Sequence, residues 1–452
     1  MQHGEARSSA AGADVPSPVT VTVTKSSAPA GTAGAAGKPG TAGGTQPILR
    51  SAWWMLLALG TAFSLSQAYR TTAAMMATRL QSDFGLSAQQ LGGFAGAFHF
   101  AFGAMQLFMG VSIDLHGVRR TVLVAFPFAV IGALLSAFST QYAMVVAGQV
   151  LVGIGCAPAF LVCTVFISRR FALERFAAVS GIMMGVGGLG MLMTATPLAW
   201  VVAVSSWRTG FMVLAALSVL AWLVIFCVVR EEAAPQARAA QSLGAALRSV
   251  GALFAMPHTV GILALGAVTY AAFMTLRGLW LGPLLTERFG FSLVQSGNIA
   301  LLVSVVSIVG PPFFGRLTAS GAGRRRWILG FTIGYAALFA VLASAHAAIV
   351  AVPALVLIGF MSGFIILQYA DVRAAYPAAL TGRAMAVYTM AMFLGIGAMQ
   401  SATGAIASVA KGAGVDAFSA VLLSIAVLLG AGALVFALSP APPVASGGGS
   451  GG

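Results

Sequence analysis

The chain has 452 residues, of which 59% are apolar and only 8% charged, against about 45–50% and about 25% in soluble domains. With a mean hydropathy of +0.95, too little polar surface remains for a water-soluble fold, and an all-α integral membrane protein is expected. The net charge of +14 is spread between apolar runs rather than gathered on one face, which argues against a nucleic-acid partner.

Residues 1–47 are rich in Ala, Gly, Ser, Thr and Pro. They cannot bury enough surface to offset their ordering entropy, so a disordered cytoplasmic tail is expected. It does not resemble a signal peptide, because the first long apolar run begins only near Ala52 and is long enough to span. Apolar runs then recur near 52–78, 91–113, 121–139, 142–167, 176–201, 209–229, 259–283, 296–317, 327–345, 348–370, 384–409 and 417–438. Each suits a hydrocarbon core of about 30 Å, so twelve spans are predicted. They divide into a six-helix half over 48–229, a cytoplasmic loop over 230–257 and a second six-helix half over 258–438, with a linker-like tail over 439–452.

Lys and Arg placement sets the orientation. Eighteen fall in the tails and connections of one face, and four (Arg79, Arg208, Arg288 and Lys411) on the other. Both termini are therefore expected in the cytoplasm, with the chain in a bacterial-type inner membrane. Cys156, Cys163 and Cys227 lie in apolar runs without metal-ligand spacing. No phosphate-cradling loop is present either, and no cofactor or metal is predicted.

The segment Phe84 to Gly92 recurs as Phe289 to Gly297, identical at five of nine positions at an offset of 205. The same offset pairs Gly110 with Gly315, each before a basic connection. Two repeated halves with a site at their interface are a transporter architecture.

The run Gly110-Val111-Ser112-Ile113-Asp114-Leu115-His116-Gly117-Val118-Arg119-Arg120 resembles the loop signature between helices two and three of the major facilitator superfamily. The resemblance extends over about residues 50–440. It implies twelve helices in two pseudo-symmetric halves working by alternating access. Gly110 and Gly117 are expected to permit close approach and a tight turn, and Asp114, Arg119 and Arg120 to form a conformational latch. In the second half Ala319 replaces the acid, while Arg324, Arg325 and Arg326 stay basic, so a weaker latch is expected there.

Two cations remain, Arg70 and Arg277, at similar depth in the first helix of each half. An intramembrane Arg costs at least about 2.5–3.5 kcal/mol and normally faces a cavity or partner. The ten acidic residues all fall in tails, loops or helix ends, with Asp371 nearest a vestibule. The missing partner is then an anionic substrate, which guanidinium forks suit; snorkelling to the headgroups is the competing reading. The pair is similar to that of the organophosphate/phosphate antiporters, and the cationic site to that of the oxalate/formate exchanger. Tyr69, His99, Tyr270, Trp280, Gln368, Tyr369 and Tyr388 are candidate substrate neighbours, with Gln67, Gln106 and Gln400 in or near spans as well. For each of these, a helix–helix hydrogen bond is the competing explanation.

The leading expectation is a non-enzymatic carrier of a small carboxylate or phosphate-type anion. Its partners are the bilayer and the anion, with protons or a counter-anion as coupling species, and a monomer is expected. A proton-driven efflux pump for amphiphiles lacks the deep acid it would use. A non-transporting receptor lacks a sensory domain, and an enzyme lacks a polar catalytic constellation.

Overall fold

The computed structural model describes residues 45–230, 251, 253–317 and 321–442, and these contain no strand. The expectations for residues 1–44, for the loop over 231–250, for Ala319 and for the tail over 443–452 lie outside the described residues.

The first half comprises α1 (Thr45–Phe84), α2 (Ala88–Ala137), α3 (Tyr142–Cys156), α4 (Ala159–Arg170), α5 (Leu173–Met193), α6 (Thr196–Val204) and α7 (Trp207–Val228). The second begins with α8 (His258–Thr275), whose path continues through π-helical turns at Leu276–Trp280 and Leu284–Arg288. It is completed by α10 (Leu293–Phe314), α11 (Gly321–Ser344), α12 (Ala348–Met361), α13 (Ile365–Ala375), α14 (Ala378–Gly412) and α15 (Ala417–Leu438), α9 being the short turn Leu281–Pro283.

Ten of the described helical stretches are long and apolar enough to cross a membrane. One of them, Ala88–Ala137, holds 50 residues and turns back on itself at Gly117, whose φ of 82° and ψ of 172° are open essentially to glycine alone. It therefore supplies two spans. α1, more polar in its middle but 40 residues long, supplies another, so the described residues accommodate twelve spans. The chain is a multi-pass membrane protein. α3 and α4 form one span broken at Pro158, and α5 and α6 one span broken at Thr194 and Ala195.

The repeated nine-residue segment has a local cause. Gly85 and Gly290 take left-handed φ of 63° and 70° to leave the preceding helix. Ser87 and Ser292 then cap α2 and α10, each in a capping box with Gln90 or Gln295. The basic connections repeat as well. Arg119 donates to the terminal carbonyls Phe226 O at 3.0 Å and Val229 O at 2.6 Å of α7. In the second half Arg325 donates to Phe436 O and Ser439 O at the end of α15. Each guanidinium also lies over the aromatic ring of the helix it caps, at 5.4 Å for Phe226 and 4.4 Å for Phe436. A cation at a helix C-terminus complements orphan carbonyls and the macrodipole.

The two halves meet from mid-depth to the face opposite the arginine-rich one. Among the described residues, the hydrogen bonds between halves are Gln89 N to Ser408 Oγ at 2.9 Å, Thr196 Oγ1 to Asn298 Oδ1 at 2.8 Å, and Arg277 Nη2 to Met191 O at 3.1 Å. The structure is thus sealed on that opposite face.

Candidate substrate site at the crossing of α1 and α8

α1 passes so close to the π-helical turn after α8 that a Cβ on Gly278 would lie 2.8 Å from the Arg70 carbonyl. The neighbouring residue on each side of this crossing is an arginine. Arg70 is 6% exposed and Arg277 is wholly buried. Among the described residues neither pairs with a carboxylate, whereas Arg208 pairs with Asp83, Arg288 with Asp416 and Arg324 with Asp371.

Their guanidiniums leave the crossing in different directions. Arg70 turns back along α1 toward Ser66, whose hydroxyl accepts from Nη2 at 3.4 Å, as expected for a Cβ tilted to the helix N-terminus. It lies 4.6 Å from the ring centre of Phe102 on α2 and 4.7 Å from that of Phe393 on α14. The two rings touch at 4.3 Å between centroids, one from each half. Tyr270 and Tyr369 are both partly exposed. Its Nε–H has no partner.

Arg277 is held by Nε to Ser304 Oγ on α10 at 2.9 Å and by Nη2 to Met191 O on α5 at 3.1 Å. The break after α5 leaves that carbonyl without an intrahelical amide, since the Ala195 N–H goes to Leu192 O instead. Arg277 thus completes the end of a helix from the other half. The expected two-armed clamp is not assembled in this state, because one guanidinium sits between α2 and α14 and the other between α5 and α10.

The remaining candidates separate likewise. Tyr69, rotated by about 100° from Arg70 on the helix, bonds Ser218 on α7 at 3.0 Å. Trp280 donates to Thr403 Oγ1 at 3.0 Å and packs edge-on against Phe418. Gln368 accepts from Thr269 at 2.9 Å and from Tyr388 at 2.7 Å, which ties α8, α13 and α14 together within the second half. Gln106 spans to Ala157 O at 3.2 Å. His99 and Gln400 are buried, and both keep an unpartnered atom. Phe102, Phe393, Ser304 and the Met191 carbonyl carried no signal in the sequence, since an apolar ring or a backbone oxygen becomes functional only through tertiary placement.

The profile of the Major Facilitator Superfamily matches residues 56–400. The chain belongs to this superfamily. Solved facilitators share the fold. A bacterial homologue of the human lysosomal transporter Spinster, inward-facing and occupied, superposes with a TM-score of 0.69 at 16% identity over 87% of this chain and 97% of that one. The D-xylose–proton symporter does so at 0.68 and 14% identity, over 88% and 99%. In sequence the chain is 26% identical over 157 residues to the probable sulfoacetate transporter SauU of Cupriavidus necator, a stretch covering 35% of this chain and 36% of that relative. Like these proteins, the chain is a transporter rather than an enzyme.

In this facilitator the signature loop lies at the Gly117 turn. Gly110 does not mark a close approach, because an added Cβ would meet only Leu161, at 4.0 Å. Asp114 is exposed and forms no ion pair among the described residues, whereas Arg119 caps α7. On the second side Arg324 holds the buried Asp371 carboxylate at 3.0 Å and Arg325 caps α15.

Proposed function

We propose that this facilitator carries a small organic anion across the inner membrane by alternating access, with Arg70 as the group that holds it. One observation carries the reading. Arg70 is a buried cation that no acid among the described residues neutralises, braced by aromatic faces and left with an unpartnered N–H. Such a charge is costly in a membrane interior, and an anionic oxygen on the fork relieves that cost. The name of the partial relative, a probable sulfoacetate transporter, agrees with an anionic solute. The eighteen-to-four bias of basic residues supports cytoplasmic termini, and a monomer suffices for the site.

Arg277 has a different part in this reading: it joins the halves on the sealed side rather than holding solute. Asp114 and the signature arginines serve as the latch on the cytoplasmic side when the carrier faces outward.

The test is counterflow of labelled carboxylates, sulfonates and phosphate in proteoliposomes. Arg70→Gln should abolish saturable exchange of whichever anion the native carrier moves, with folding intact. Undiminished exchange by Arg70→Gln would refute the assignment.

A further inference from the structure

Three consecutive arginines open α11, and helix geometry sends them to three places. Arg324 binds the Asp371 carboxylate at 3.0 Å, and Arg325 caps the end of α15. Arg326, a further 100° or so round the helix, is exposed and has no partner among the described residues. It shares a helix face with Ile333, which is 61% exposed, so it stands on the arc of α11 that meets lipid. Arg316, just past the end of α10, is likewise exposed and without a partner among the described residues.

Beside Arg326 stands Trp327, 48% exposed, whose indole N–H also has no partner among the described residues. Its ring stacks on Phe331 at 5.3 Å, and Phe331 meets Phe314 of α10 edge-on at 5.0 Å. The row ends in Phe313, 5.4 Å from Phe314 and 50% exposed. Because Phe314 closes α10 and Phe331 lies early in α11, both free arginines fall at the arginine-rich end of this row. Packed rings suit acyl chains and an interfacial indole, and guanidinium forks suit a phosphate.

We infer that this face of α10 and α11 holds an anionic phospholipid, with Arg316 and Arg326 on its phosphate and Trp327 at the boundary between headgroup and chains. A net negative headgroup is specified because two cations repel the ammonium of a zwitterionic one. Asp371, the acid of neighbouring α13, is already taken by Arg324 and leaves the positive charge of the patch uncancelled. A second copy of the chain is the competing occupant. Paired across a two-fold axis normal to the membrane, it would bring its own arginines to the same end and set like charges together. The lipid site is independent of which solute the carrier moves.

The experiment places the full chain in vesicles of equal parts phosphatidylcholine and phosphatidylglycerol, with acyl-chain bromines on one lipid or on the other. Quenching of Trp327 is the difference between the native protein and Trp327→Phe. Each arginine at an anionic surface contributes about a factor of five, so phosphatidylglycerol should act as if enriched roughly 5–25-fold at Trp327, and less in high salt. Trp200, 58% exposed toward the opposite face and read in the same way through Trp200→Phe, should be quenched alike by both lipids. Arg316→Gln combined with Arg326→Gln should bring Trp327 to the behaviour of Trp200. Equal quenching of Trp327 by the two brominated lipids in the native arginine background overturns the inference whether or not the double variant folds. A preference that survives in the folded double variant overturns it too, since the arginines then do not hold the lipid. Trp327 shielded from both lipids overturns it in favour of a second copy on this face.

Discussion

Replacing Arg277 by Gln tests whether this residue closes the carrier or holds its solute. The side chain makes two buried hydrogen bonds, to Ser304 Oγ at 2.9 Å and Met191 O at 3.1 Å. Ser304 belongs to the same half as Arg277, so that bond is kept whichever way the halves rock. The bond to Met191 exists only while the opposite face is sealed, and therefore only it biases the equilibrium. A hydrogen bond to a charged group contributes about 1.5–3 kcal/mol. Its loss should shift the population toward the state open on the face opposite the arginine-rich one by roughly 10–150-fold, at 1.4 kcal/mol per factor of ten. The Met191 carbonyl keeps the Thr194 hydroxyl at 3.2 Å, which places the effect toward the lower end. Spin labels at exposed Thr140 and Ala347, in loops of the two halves on the sealed face, would report the change by electron–electron distance measurement. Arg277→Gln should lengthen the mean separation and lower the rate of exchange, with solute affinity in the sealed state unaffected. An unchanged distance distribution combined with lost solute binding would refute the closing role and return Arg277 to the clamp.

Arg70→Lys should keep the charge but lose the flat stack on Phe102 and Phe393 and the fork geometry; the expected result is anion competition at least about tenfold weaker than native but still measurable. Gly117→Ala forces a side chain into a backbone region essentially reserved for glycine, and should destabilise the fold by about 1–3 kcal/mol, read as earlier thermal aggregation in detergent. Burial pushes the Asp416 carboxyl up, but the Ser419 hydroxyl and amide and the Arg288 charge outweigh it and hold the pKa below the usual 3.8. Its contribution is therefore complete above that value and is lost as pH falls through the depressed one. The protection of the amides at the start of α15 against hydrogen exchange should fall as pH drops below 3.8 in the native protein but not in Asp416→Asn.

Much of the fold was legible because a membrane leaves few alternatives: long apolar runs must be helices. The repeated segment was legible for a second reason. Gly85, Ser87 and Gln90 are local devices whose chemistry works within one turn, so their copies at Gly290, Ser292 and Gln295 keep the same residues. Arg70, Arg277 and His99 stood out because a polar group in an apolar run is conspicuous. Their partners did not. Phe102 and Phe393 read as ordinary core, and Met191 offers only a backbone oxygen made available by a helix break. The basic residues of the second signature also gave no hint of their partners: Arg324 and Arg325 bind Asp371 and the end of α15. Those contacts join residues 47 and 111 positions apart, beyond what any local pattern encodes.

The same distinction explains why equivalent positions in the two halves diverge. Sequence symmetry places an arginine at like depth in α1 and in the π-helical continuation of α8, but the local backbones differ. Arg70 leaves a regular α-helix and falls back along it, so its fork remains at the joint between α2 and α14 with an N–H to spare. Arg277 leaves a π-helical turn, a widened register that often marks a functional site, and reaches the end of α5 instead. An anion arriving at Arg70 lowers the cost of a buried cation near the contact between Phe102 and Phe393, one ring from each half. Arg277 already has its compensation from a helix end that moves with the other half. If Arg70 holds the anion as proposed, solute charge and half-to-half contact are linked through two cations with different counterparts. A solute that neutralises Arg70 changes the balance at the interface between the halves without touching Arg277 at all.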